Sequence, residues 1–368
     1  NNESGFDPIG SQASEFSGLL DGNNRTITGL TIDRPTEDNV GLFAQSSGTL
    51  IDISLKDTTL TGENFSGGLV GFNSGTITNV TATVTVNGTN DVGGLVGSND
   101  GGTIQRQTVS STVTGSSRVG GVIGTNVNAG TVQRATIDGN IDGSTNVGGV
   151  VGATTGTVEN TTVSGIVNGS ETVGGLAGVM QPSLSDTPPG TIQNVAAFST
   201  VTGSSNVSGL VGRNGGTIQD AVVAGSVNGE SDTETGGMVA FNAGTVENAY
   251  WDKQATGQDT SAGSTTEFGL STTEMQGQAA RTNMSGLAFG TTWQIQSTDY
   301  PALIPPEAET ELSLENLSVA SQGTEAEILA GTETNVSVNV TNVGEITENV
   351  TLSVDVDAES DTNTSAAT

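Results

Sequence analysis

The side chains that most often carry catalysis are absent from this sequence or scattered through it. The 368-residue chain has no His and no Cys. That removes the Ser-His-Asp triad, the Cys-His dyad and thiolate or imidazole zinc sites. Carboxylate and guanidinium chemistry remains. Cleaving a polysaccharide on a β-helix would need an acid pair, or a carboxylate cluster for calcium, with a basic residue beside it. The nearest match is Arg106 and Arg134 with Asp138 and Asp142, in stretches of ordinary spacing without an expanded active-site loop. "GGLVG" has the glycines of a phosphate loop but neither the following helix nor the Lys. No cofactor is therefore expected. Calcium bridging acidic loops is conceivable, but no EF-hand or nonapeptide pattern places it.

The polar motif that does recur is Asn-X-Ser/Thr. The candidates for N-glycosylation are Asn24, Asn64, Asn79, Asn87, Asn160, Asn168, Asn206, Asn283, Asn316, Asn335, Asn339 and Asn349, with Asn2 and Asn363 near the ends. A chain this rich in Asn, Thr and Ser makes such triplets by chance. Those at corners or on exposed strand positions, such as Asn87 and Asn168, would carry a glycan without disturbing a core, if the chain is exported through a glycosylating pathway.

Charge narrows the partners. Nine basic residues against 40 acidic ones give a net charge of -31. Such an excess repels nucleic acid and anionic membranes. The acids are dispersed and Lys is confined to Lys56 and Lys253, a surface suited to concentrated salt, where the Debye length is about 3 Å and self-repulsion is screened. The expected source is a salt-loving microbe, an archaeon. No run approaches the ~20 apolar residues of a membrane span. No signal peptide opens the chain, so Asn1 reads as a mature or trimmed end.

Any site must be held by repeats, because the chain is repetitive. It reads "NVGLFA" at Asn39, "FSGGLVG" at Phe65, "DVGGLVG" at Asp91, "RVGGVIG" at Arg118 and "NVGGVVG" at Asn146. "TVGGLAG" at Thr172, "NVSGLVG" at Asn206 and "TGGMVAF" at Thr235 follow. A "GTL", "GTI" or "GTV" block comes after each, at Gly48, Gly75, Gly102, Gly130, Gly156, Gly190, Gly216 and Gly244. The intervals are 27, 27, 28, 26, 34, 26 and 28 residues, the long one carrying the insertion "MQPSLSDTPPG", whose prolines mark a surface loop. A turn pair closes each unit, for instance Asn87-Gly88, Thr114-Gly115 and Asn168-Gly169.

Counting back from that closing Gly reveals alternation. Two residues before it stand Leu60, Val86, Val113, Ile141, Val167, Val201 and Val227; six before it stand Ala82, Val109, Ile137, Val163, Ala197 and Val223. Thr, Ser, Asp or Asn mostly separate them, which predicts a strand with one buried face. Three short strands per repeat cannot bury their apolar faces alone, but coils stacked about 4.8 Å apart can. The expected fold is all-β, a parallel β-solenoid (β-helix) of about eight 27-residue coils with terminal caps, its interior too narrow for aromatic rings. Eight coils at that spacing would run on the order of 40 Å. Four residues after the "GT" glycine come Asp52, Asn79, Arg106, Arg134, Asn160, Asn194, Asp220 and Asn248. Stacked Asn amides there are expected to bond along the axis, with the arginines facing solvent.

These residues bring a resemblance. The core Gly68-Leu69-Val70-Gly71 and Gly94-Leu95-Val96-Gly97 is similar to that of the GLUG-repeat surface proteins, here of the haloarchaeal type. "PIGSQASEFSGLLDGNNRTITGLTIDRPTEDNVGLFA" resembles their first coil, and "AYWDKQATGQDTSAGSTTEFGLSTTEMQGQA" with "TTWQIQSTDYPAL" their terminus. The resemblance covers about residues 6 to 304. It implies an extracellular, right-handed solenoid in adhesin-like or cell-wall proteins, without agreed catalytic residues. Trp251, Trp293, Tyr250 and Tyr300, joined by Phe268, Met275, Phe289 and Leu303, are expected to plug the open end, with a Ser271/Glu274 capping box starting a short helix.

After Pro306 the texture changes to alternating Val, Leu and Ile among Ser, Thr and Asn. "VNVTNVG" and "NVTLSVDV" resemble CARDB-type adhesion modules, which are immunoglobulin-like sandwiches of about seven strands. The stretch that remains is too short for one. Either the chain stops partway through a longer protein, or a strand from a neighbour, such as Asn1 to Ile9, completes the module and builds a filament. The organisation expected is 1–38 opening coil, 39–257 repeats, 258–305 capping segment and 306–368 partial sandwich module. The expected function is a non-enzymatic, extracellular structural or adhesin-like surface protein that self-associates or contacts cell surfaces and glycans. The alternative is a carbohydrate-binding or polysaccharide-cleaving β-helix.

Overall fold

The computed structural model describes residues 4–181, 189–230, 234–262 and 268–305, and the backbone of Leu312–Ala320 and Asn335–Asn342. β-Branched residues at every second position favour an extended chain with one packed face. The long strands form there: Thr49–Thr61, Thr76–Asn87, Thr103–Thr114, Thr131–Asp142 and Thr157–Asn168. Each pairs in parallel with its equivalent one repeat away, so Val86, Val113, Ile141 and Val167 fall in register. Shorter strands extend this long sheet to 13 strands, and two further sheets hold seven and eight. The second sheet takes strands such as Asn90–Gly93 and the third such as Val96–Asp100. The repeats thus form a parallel β-solenoid of eight coils, counted on the eight-stranded sheet. Its three strands per coil are unequal, one long and two short.

The inward positions are those the alternation predicted. Leu60, Val86, Val113, Ile141, Val167, Val201 and Val227 are buried, as are Ala82, Val109, Ile137, Val163, Ala197 and Val223. From the short strands, Val92, Val119, Val147, Val173 and Val207 stack in one column and Leu69, Leu95, Val122, Val150, Leu176 and Leu210 fill the turn beside it. Burying one such side chain stabilises by about 1.5–3 kcal/mol, and repetition makes the core continuous. The turn between the short strands explains the paired glycines. A Cβ on Gly120 would lie 2.1 Å from the Ile123 carbonyl oxygen, and one on Gly121 2.2 Å from that of Gly149 in the next coil.

Two columns run through left-handed backbone. One is Asp52, Asn79, Arg106, Arg134, Asn160, Asn194, Asp220 and Asn248; the other is Asn39, Phe65, Asp91, Arg118, Asn146, Thr172 and Asn206. Asn and Asp tolerate that conformation best, which accounts for their frequency in both columns. The amide bonding expected in the first column is found in part: Asn79 Nδ2 donates to Asp52 and Asn248 Nδ2 to Asp220, in each case to a carboxylate rather than to another amide.

The amide ladder lies inside the fold, at the end of the third-sheet strands. Asn73 donates to Asn99 (2.7 Å), Asn99 to Asn126 (2.8 Å), and Asn214 to Asn242 (2.7 Å). The Asn99 and Asn126 amides also donate to the Gly102 and Gly130 carbonyls at 2.8 and 2.9 Å. Asn73, Asn99, Asn126 and Asn214 are buried, so these bonds satisfy groups that water cannot reach.

Aromatic rings do enter the interior, but at its ends. Phe43 is buried in the third sheet's first strand and meets Phe16 in a tilted contact at 4.8 Å, while Trp251 closes the core at the last coil. The Trp251 indole donates to the Gln258 carbonyl at 3.0 Å. The chain then pairs along the final edges, Gly237 N donating to Thr260 O and Val239 N to Ser261 Oγ. The rest of the expected plug lies elsewhere. Met275, Ala280, Met284, Leu287 and Trp293 pack on Ala196, Val222 and Tyr250, which face outward from the long sheet. In preceding coils that column is Thr81, Thr108, Thr136 and Thr162. The column turns apolar where the exit segment covers it. Ser271 N donates to the Glu274 carboxylate at 2.8 Å, one half of the capping box, in which the Ser271 side chain accepts from the Glu274 backbone; helices Thr272–Met275 and Gly277–Asn283 follow. Tyr300 donates to the buried Asp252 at 2.7 Å; burial first, and that bond second, hold its phenol well above the usual range.

The N-terminal segment is not a free donor strand. Ile9 N donates to Leu42 O and Ala44 N to Ile9 O, while Phe6 N donates to Thr31 O. These bonds already engage it within its own chain. Residues 305–368 form a separate unit, in which Leu312–Ala320 and Asn335–Asn342 pair antiparallel. The other strands expected of a sandwich module fall outside the described residues.

Candidate functional site

Arg106 and Arg134 sit opposite each other in the outer left-handed column, half-exposed rather than fully in solvent. Asp138 and Asp142 are exposed on the outer face of the same strand as Arg134. An extended chain advances about 3.3 Å per residue, so Asp138 and Asp142 stand about 13 Å apart. Acid pairs that hydrolyse glycosides are about 5–10 Å apart. The strand therefore separates the groups that spacing in the sequence had brought together. Among the described residues, no three acidic side chains gather as a metal-holding cluster.

The sequons are dispersed as well. Asn24, Asn79 and Asn283 are exposed; Asn64, Asn87, Asn160, Asn168 and Asn206 are half-exposed. The Asn64 amide donates to Asp38 at 2.7 Å and its carbonyl accepts from Asn90 at 2.8 Å. Asn316, Asn335 and Asn339 lie on the two strands described by backbone alone. Asn349 lies outside the described residues, with Asn2 and Asn363.

The side chains that do converge line an outer groove where the second and third sheets meet. One wall is the left-handed column from Asn39 to Asn206 and the other is the middle residue of each third-sheet strand. In the early coils the groove is closed by its own contents. Phe65 meets Phe72 edge-on at 6.4 Å. Asp91, buried, takes both arms of the Arg118 guanidinium at 2.6 and 2.7 Å and a bond from Thr125 Oγ1. That carboxylate raises the Arg118 pKa, the hydrogen bond contributing most. Ser98 and Ala153 are buried in the same row.

Farther along, the groove opens. A cleft of about 480 Å³ is bordered by Asn146, Glu171, Thr172, Val179, Arg213 and Phe241. The Arg213 guanidinium lies over the Phe241 ring, 4.8 Å from its centroid, and Phe241 remains 46% exposed. Sequence reasoning passed over this pair. The available signal was an Arg and a Phe in "LVGRN" and "MVAFN", at a position held by Ser, Thr, Ala and Val in the four coils before them.

Comparison with known proteins places the repeat in context. The GLUG motif family matches residues 66–87. Halomucin of Haloquadratum walsbyi is 40% identical over 125 residues, which is 33% of this chain and 1% of halomucin. A Gly-rich membrane protein of Evansella cellulosilytica is 32% identical over 92 residues, 23% of this chain and 10% of that protein. The chain thus spans a tenth or less of either relative's length. No solved structure matches it.

Proposed function

We propose that this chain is a non-enzymatic, extracellular structural segment of an adhesin-like surface protein from a halophilic archaeon. The observation that carries the reading is the continuity of the stacked interior: valine, leucine and glycine columns persist from coil to coil while the outward residues vary. Such a fold presents a long surface at little cost in core design. Surface location is supported by the GLUG match and by the names of the two similar proteins, one of them described as a membrane protein. No helix among the described residues is long and apolar enough to cross a membrane. The solenoid is taken as right-handed, the hand favoured when twisted strands are joined by crossovers. In this reading the exposed sequons Asn24, Asn79 and Asn283 are the foremost sites for glycans. The segment 258–305 caps the repeats of 39–257, and 306–368 belongs to an immunoglobulin-like module.

A net charge of -31 ties this function to salt. Dilution lengthens the Debye length from about 3 Å at 1 M to about 30 Å at 0.01 M, so self-repulsion grows. The thermal midpoint is expected to fall steadily from molar to millimolar salt. A midpoint that does not move with salt contradicts the halophilic assignment.

Turnover tests the non-enzymatic reading. Incubation with a panel of acidic polysaccharides should release neither unsaturated nor reducing ends above a blank. Sustained release would establish the polysaccharide-cleaving alternative.

A further inference from the structure

Repeated coils provide an internal standard. Every coil must satisfy the same stacking geometry, so an outward side chain that departs from its own column is not explained by that geometry. Phe72 in an early coil is such a departure, closed off by Phe65; two others stand open at the cleft. Arg213 and Phe241 are large and exposed in a row where Ser98 and Ala153 are buried.

Electrostatics indicate the ligand. Arg34 and Arg118 are neutralised by carboxylates of their own chain. Arg213, like Arg25, Arg134 and Arg281, has no carboxylate partner among the described residues, and it is the one of these that borders the cleft. Its guanidinium carbon stands 4.8 Å from the centroid of the Phe241 ring, and a guanidinium presents donors suited to a carboxylate. Asn146 and Glu171 add amide and carboxylate groups that exchange hydrogen bonds with hydroxyls. A ring with an apolar face, several hydroxyls and a carboxylate satisfies all of these groups at once.

We propose that this cleft binds an acidic saccharide, a uronic acid unit of an extracellular glycan, with its carboxylate on Arg213 and its ring against Phe241. A direct charge-assisted hydrogen bond leaves no room for ions between its partners, so salt screens it less than it screens repulsion across solvent.

The test is calorimetric or NMR titration of the full chain, in molar salt, with galacturonate, glucuronate and mannuronate oligomers and a neutral galacto-oligosaccharide. At least one acidic oligomer should bind while the neutral one does not. Arg213→Gln and Phe241→Ala should each weaken binding about tenfold or more, and Thr83→Ala, far from the cleft, should leave it unchanged. Thermal melts that match wild type show the variants folded. Equal binding of the neutral oligomer, binding indifferent to both substitutions, or no binding by any oligomer overturns the proposal. Turnover of a bound oligomer would instead overturn the non-enzymatic reading and leave the cleft assignment standing.

Discussion

Val113→Asp and Val167→Asp should each destabilise the solenoid by about 3–5 kcal/mol, the scale of an unpaired buried charge after relaxation. Both valines are buried between equivalents in neighbouring coils: Val113 between Val86 and Ile141, Val167 between Ile141 and Val201. No basic residue stands in that column to pair with the new carboxylate. Thr83→Asp provides the contrast, because Thr83 is exposed on the outer face of its strand. Its cost should stay within about 0.5 kcal/mol, as for most surface substitutions. Chemical denaturation in constant salt measures both, and equal tolerance at Val113 and Thr83 would mean that the faces are reversed.

The interior amide ladder should be nearly as sensitive. Asn99→Leu is close in volume, yet it removes the acceptor of Asn73, the donor to Asn126 and the donor to the Gly102 carbonyl. Each buried group left unpaired costs about 1–3 kcal/mol, less whatever an alternative partner recovers. Asn73 keeps a weaker bond to the Gly75 carbonyl at 3.3 Å, so the net loss should be about 2–4 kcal/mol. Asn79→Ala probes the outer column, where the side chain is exposed and its single bond reaches Asp52. The expected cost there is about 1 kcal/mol, mostly that of holding an alanine in left-handed backbone. A larger loss at Asn79 than at Asn99 would transfer the structural ladder back to the surface.

These two residues also show how much was legible in the sequence. The inward valines follow from period two and the closing glycine alone, since a strand repeats on each face every second residue. Asn79 and its equivalents stood out because they keep a fixed distance from the "GT" glycine. Their role was misread: the backbone conformation selects Asn and Asp there, and amide pairing is secondary. Asn73, Asn99 and Asn126 keep no such distance, lying two, three and four residues before Gly75, Gly102 and Gly130. Turns of different length hide a column that is regular in space. The exit segment was half legible. Its aromatics signalled a cover, while the change from Thr162 to Ala196, Val222 and Tyr250, which shows where the cover lies, needed the register of the sheet. The cleft at Arg213 and Phe241 was invisible for a related reason. Its walls come from different strands of different coils, and only stacking brings them together.

Amide hydrogen exchange tests most directly whether one continuous stacked core organises this protein. If it does, the slowest amides belong to the long strands of the middle coils, Thr103–Thr114, Thr131–Asp142 and Thr157–Asn168, which are paired on both sides. Protection should decline toward Leu19–Thr28, the sheet's exposed first edge, as local opening becomes easier. Protection confined to the exit segment around Trp293, with fast exchange through the middle coils, would contradict the account.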